Sequence, residues 1–179
     1  MLGIIANNQN LPTEVDFDPY QGCLDCQHAW REFGGLSIEE AFQKFIDHPM
    51  CHQEDFMFMG GRAFVYYFPV LDRYLRGFRA DEDSDDAYDS FAAVIGGGLS
   101  VQLLSKTSQE LDSIMDGILS LIGYVRSHTT NLAVDLNEQQ SIDSAWQILE
   151  ALISQKLTAR KKKAEKRKPT IKGAAKAER

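Results

Sequence analysis

Residues 54–78, EDFMFMGGRAFVYYFPVLDRYLRGF, crowd aromatic side chains together with Met57, Met59, Val70, Leu71 and Leu75 into the most apolar stretch of the chain. Within it Phe64, Tyr67, Phe68, Leu71, Tyr74 or Leu75, and Phe78 recur at steps of three and four, the spacing that lays side chains along one face of a helix. No segment of convincing length alternates apolar and polar residues as a half-buried strand does. The contrast predicts an all-α fold, a single globular bundle of about six to eight helices with the aromatic stripe at its centre. Pro69 interrupts the stripe; a proline removes a donor and crowds the preceding turn, so two helices are expected to meet there, with Pro69 starting the second.

Toward the N-terminus, residues 1–17 read as an irregular lead-in, and the helical domain is expected over 18–157. Asp18 suits an N-cap and Pro19 the first helical position. Cys23, Cys26, Trp30 and Phe33 then fall on one face, and Gly34-Gly35 ends that helix. Ser37 with Glu40 forms a capping box for the next, which buries Ile38, Ala41, Phe42 and Phe45 and stops at His48-Pro49.

Toward the C-terminus, the acidic run 81–89 reads as a loop feeding a helix over Phe91 to Ile95, which Gly96-Gly97-Gly98 is expected to break before a short helix near Leu99 to Leu104. Thr107 and Glu110 suggest a capping box for a long helix with Leu111, Ile114, Met115, Ile118, Leu119, Ile122 and Val125 on its apolar face. A last helix is expected from Asp135, with Glu138 three residues on, burying Ile142, Ala145, Trp146, Leu149, Leu152 and Ile153. Residues 158–179 form a basic tail, helical as far as Pro169 and disordered beyond.

The run Ala63-Phe64-x-Tyr66-Tyr67-x-Pro69, with Gly60-Gly61 before it and Cys23-x-x-Cys26 and Trp30-x-x-Phe33 upstream, resembles small bacterial families with an AFxYYxP core. The resemblance covers Cys23 to Phe78 and implies a helical fold and a bacterial source. It implies no catalytic activity; some similar small acidic proteins are immunity partners of toxins.

The net charge of −7 conceals two opposed regions. Residues 156–179 hold 11 basic and 2 acidic side chains, a net +9, whereas residues 1–155 hold 8 basic and 24 acidic, a net −16. An acidic body with a basic tail points to charged partners, or to a tail that lies on its own body. The N-terminal residues lack a basic region followed by an apolar one, and no run approaches the roughly 20 apolar residues of a membrane span, so a cytoplasmic protein without membrane contact is expected.

Few residues suggest chemistry. Cys23, Cys26, Cys51 and His52 supply the ligand types of a Cys3His zinc site, though only the first pair has the usual spacing. The same Cys-x-x-Cys suits thiol redox chemistry, but without the strand-turn setting of a thioredoxin-like motif. In register with Trp30 and Phe33, the two cysteines are expected to be buried packing residues that hold no metal. Asp81, Asp83 and Asp85 alternate like calcium ligands, yet Asp86 stands where the loop needs Gly and Ala92 where it needs Glu, which excludes an EF-hand. The glycine run lacks the strand and the Lys-Ser/Thr of a phosphate loop, and His128, Thr129 and Thr130 have no evident nucleophilic partner. Lys161, Lys162, Lys163, Lys166, Arg167 and Lys168 form a cluster that would bind nucleic acid weakly and without sequence preference.

The expectation is a non-enzymatic binding or accessory protein, with another protein as partner and with no catalytic residue, metal or cofactor. One alternative is a zinc-site or catalytic protein using Cys23, Cys26, Cys51 and His52. The other is association with nucleic acid through the tail.

Overall fold

The computed structural model describes residues 10–78 and 91–166. It is all-α, with no strand among these residues. Two single turns, α1 (Glu14–Phe17) and α8 (Thr129–Leu132), accompany the longer helices α2 (Leu24–Phe33), α3 (Ile38–Asp47), α4 (Pro49–Phe58), α5 (Gly61–Gly77), α6 (Phe91–Leu104), α7 (Met115–Ser127) and α9 (Leu136–Lys166). A 3-10 turn, Glu110–Ile114, precedes α7. The acidic run 81–89 and the chain end from 167 lie outside the described residues.

Helix α5 is the axis. Its stripe of Phe64, Tyr67, Phe68, Leu71, Tyr74 and Leu75 is buried, and α1, α3, α6, α7 and the 3-10 turn all pack on it. The chain runs through Pro69 without a break, contrary to the two helices expected from the sequence. Pro69 lies on the exposed face, where a carbonyl deprived of its partner can turn to water, while the stripe on the opposite face gains by staying continuous. The buried Tyr67 hydroxyl donates to the carbonyls of Phe33 and Leu36 at 2.5 and 2.9 Å, tying the α2–α3 junction to the axis.

Several boundaries move for local reasons. The expected start at Asp18-Pro19 is five residues early: Asp18 ends α1, and Cys23 is the N-cap of α2. The intervening turn needs left-handed backbone, supplied by Gln21 (φ 57°) and Gly22 (φ 104°). Asp18 still caps orphan donors, accepting from the N–H of Gly22 (2.8 Å) and Cys23 (3.2 Å). The lead-in therefore ends in an ordered turn that buries Phe17 completely. The Ser37/Glu40 capping box forms as expected, and Pro49, which stops α3, also opens α4.

The glycine run does not break α6. Gly96 faces α9 so closely that a Cβ there would stand 2.9 Å from Trp146 Nε1, and that N–H donates to the Ala92 carbonyl at 2.7 Å. The small residue thus serves helix–helix approach. The helix expected from Thr107 divides instead, because Thr107 Oγ1 accepts from Gly61 N–H (3.0 Å) rather than capping, and Ile114 leaves helical geometry at φ −113°. At α9, Asp135 Oδ1 accepts from Glu138 N–H (2.8 Å), Ile142, Trp146, Leu149 and Ile153 are buried, and the helix continues through residues 158–166.

Candidate functional site

Helices α2 and α4 run antiparallel: His28 meets Asp55 while Phe33, later on α2, meets His52, earlier on α4. Between them lies an open groove of about 350 Å³. Leu24 and Asp25 form one end of it, His28 and Arg31 continue along α2, and Cys51, Glu54, Asp55 and Phe58 line the α4 side. Leu24 is 77% exposed and Phe58 38%, two large apolar side chains left in water beside carboxylates.

Asp55 organises the floor. It is 4% exposed, and its two oxygens accept from two imidazoles, Oδ1 from His28 Nδ1 at 2.7 Å and Oδ2 from His52 Nδ1 at 3.1 Å. A carboxylate can only accept, so both rings carry their proton on Nδ1 when neutral and leave Nε2 as an acceptor. His28 is 53% exposed by side chain and lines the groove. His52 is buried against the edge of Phe33, ring centroids 5.3 Å apart. The C-terminal turn of α4 is fixed from below by Gln102, whose Nε2 donates to the carbonyls of Phe56, Met57 and Met59 at 2.8–3.0 Å. On the far side of α4, Lys44 bonds Glu32 at 2.7 Å and holds its carboxyl below the usual range.

The cysteines depart from the packing expectation. Because α2 starts at Leu24, Cys23 stands in extended backbone and turns its sulfur back on Cys26, forming a disulfide with Cα atoms 5.2 Å apart. Both are partly buried, and Trp30, one turn on from Cys26, packs on the fully buried Phe17. Cys51 is exposed and outside any disulfide. The set Cys23, Cys26, Cys51 and His52 is not brought together as a zinc site: two of its sulfurs are bonded to each other, and among the described residues no three His, Cys, Asp or Glu side chains converge for a metal. Cys51 shares the groove with His28 but hydrogen bonds to neither imidazole, so the groove holds no assembled nucleophile–base pair.

Reading the sequence missed Asp55 and the partnership of His28. The signal was a carboxylate three residues after His52, in register with Phe56 and Met59 on the face that enters the core.

The tail begins on the body. Lys156 donates to the Ser108 carbonyl, Arg160 pairs with Asp112, and burial pushes the Lys156 amine below its ordinary range. Lys161, Lys162 and Lys163 are exposed, and as consecutive helical positions they fan around α9 instead of forming a stripe. Lys166 closes α9, while Arg167 and Lys168 lie outside the described residues.

No protein family, curated protein or solved structure matches this chain. Among the described residues, no helix is long and apolar enough to cross a membrane.

Proposed function

We propose that this is a non-enzymatic binding protein that receives a basic segment of another protein in the α2–α4 groove. The observation that carries the reading is the pair Leu24 and Phe58, exposed on a groove whose remaining lining sets three carboxylates, Asp25, Glu54 and the bridged Asp55, against the one guanidinium of Arg31. Apolar anchors beside fixed polar groups are the makings of an interface hot spot. Charge supplies the sign of the partner: the net −16 of residues 1–155 steers cations toward the body and repels nucleic acid and acidic surfaces. The resemblance to small bacterial helical proteins, some of them immunity partners of toxins, is in keeping with an accessory role of this kind.

The test is affinity capture from the source organism with the parent, Leu24→Ala/Phe58→Ala, Glu54→Lys, and a control at an exposed residue elsewhere, Leu136→Ala on α9. The proposal expects one captured protein of net positive charge that the groove variants lose and the control retains. Equal retention by all variants would place the interface elsewhere, and a captured acidic protein would contradict the charge argument.

A second reading rests on Lys161, Lys162 and Lys163, which project from the helical end of α9 and would contact nucleic-acid phosphates.

A further inference from the structure

Leu24 and Asp25, one end of the groove, are also the two residues enclosed between Cys23 and Cys26. The bond therefore closes around part of the surface assigned to the partner. It links residues only three apart, so it constrains the unfolded chain far less than a long-range disulfide does and has little value as a staple. Its placement suits reactivity better. Cys23 is the N-cap of α2, and its sulfur accepts from the Cys26 N–H at 3.2 Å, so a thiolate formed there meets a donor and the positive end of the helix. Two carboxylates oppose that charge. Asp18 shares its Oδ2 among the N–H groups of Gly22 and Cys23 and the side chain of Gln27, which spends much of its field locally, and Asp25 is exposed and screened by solvent.

We propose that Cys23–Cys26 is a thiol–disulfide exchange site, with a low-molecular-weight thiol or dithiol as its substrate, and that its oxidation state sets the shape of the groove. The first half stands by itself; the second rests on the binding reading above. In the exchange, a substrate thiolate attacks Cys26 Sγ, the Cys23–Cys26 bond breaks, and Cys23 leaves with the electron pair as a thiolate at the N-cap. A second substrate thiolate then attacks the mixed disulfide and releases Cys26. Two thiols become one disulfide, and Cys23 and Cys26 gain two electrons and two protons. In a reducing compartment the pair would rest as the dithiol, and a disulfide substrate such as oxidised glutathione would restore the bond by the reverse exchange.

The full chain, purified without reductant, is incubated with graded dithiothreitol, alkylated and mapped by mass spectrometry. Cys51 labels throughout and serves as the internal standard. The proposal expects Cys23 and Cys26 to gain label together while the far-UV circular dichroism stays native, and oxidised glutathione to reverse the change. Resistance until denaturant is added would make the bond a static staple and overturn the proposal. Full labelling that persists after incubation with oxidised glutathione would mean that no disulfide forms, with the same consequence. Hydrogen exchange of the oxidised and reduced forms then reads the coupling without any partner: the amides of Cys26 and Gln27, bonded to the sulfur and the carbonyl of Cys23, should lose protection on reduction, and in Cys23→Ser/Cys26→Ser the Gln27 amide should match the reduced parent. Unchanged protection would refute control of the groove while leaving the exchange chemistry intact. Failure of partner capture alone would bear on the binding reading and not on the labelling result.

Discussion

Two adjacent glycines of α6 should respond differently to the same substitution. Gly96→Ala and Gly97→Ala each replace a glycine inside a continuous helix, a change worth about 1 kcal/mol in favour of Ala. At Gly97 a Cβ would meet nothing within 4 Å, so that gain is realised in full. At Gly96 it would lie 2.9, 3.1 and 3.1 Å from Nε1, Cδ1 and Cε2 of Trp146. These contacts fall well inside the roughly 3.5–4.0 Å optimum for non-bonded carbon atoms. The indole is fully buried and tied to the Ala92 carbonyl, so it cannot swing aside as a flexible side chain would. Overpacking of this kind costs about 1–3 kcal/mol. The helix gain is common to both variants and cancels between them, leaving Gly96→Ala less stable than Gly97→Ala by about 1–3 kcal/mol. At the 2–4 °C per kcal/mol of a chain this size, the thermal midpoints should differ by about 2–12 °C. Urea and thermal unfolding of parent, both variants, Trp146→Phe and the Gly96→Ala/Trp146→Phe pair would measure it, and Gly96→Ala should cost less in the Trp146→Phe background than in the parent. A Gly96→Ala midpoint raised as far as that of Gly97→Ala would refute the close α6–α9 approach.

Emptying the axis at Phe64, 1% exposed, should cost about 3–5 kcal/mol in Phe64→Ala, read as a lowered urea midpoint; an unchanged midpoint would mean the stripe is not core. Burial pushes the Tyr67 and Tyr74 phenols well above their ordinary 10.0, so the unfolded chain releases those protons first. Their contribution is complete below about pH 10 and is lost as pH rises beyond it, by up to about 1.4 kcal/mol per pH unit for each group. Urea unfolding from about pH 8 to 11 should show the fall, and native tyrosine absorbance that titrates fully near the ordinary value would contradict it. Any nucleic-acid binding should vanish in a chain ending at Arg160, a cut that spares the Lys156 and Arg160 contacts with the body. If six phosphates are neutralised, affinity should fall about a thousandfold between low and moderate salt; salt-insensitive binding, or binding by the shortened chain, would exclude the tail.

The sequence carried the fold class because the Phe64 to Leu75 stripe and the Ile142 to Ile153 stripe have helical period over several turns. Caps that act locally were legible too, as at Ser37 and Asp135. What failed depended on neighbours remote in sequence. Pro69 is tolerated because it faces water, the glycine run stays helical because Trp146 comes from α9 to meet it, and Thr107 spends its hydroxyl on Gly61. The site was hidden for the same reason. His28 and Asp55 are 27 residues apart, and only the antiparallel packing of α2 on α4 makes them partners. Cys23 and Cys26 were read from spacing as a helix face, but a boundary shift of five residues moved Cys23 off the helix and onto its cap.

The central claim is that the α2–α4 groove is the docking face. Hydrogen exchange of the parent, alone and saturated with its captured partner, tests it most directly. The account predicts new protection confined to residues 24–31 and 51–58, the segments that line the groove. Protection centred on α7 or α9, with those two segments unchanged, would contradict it.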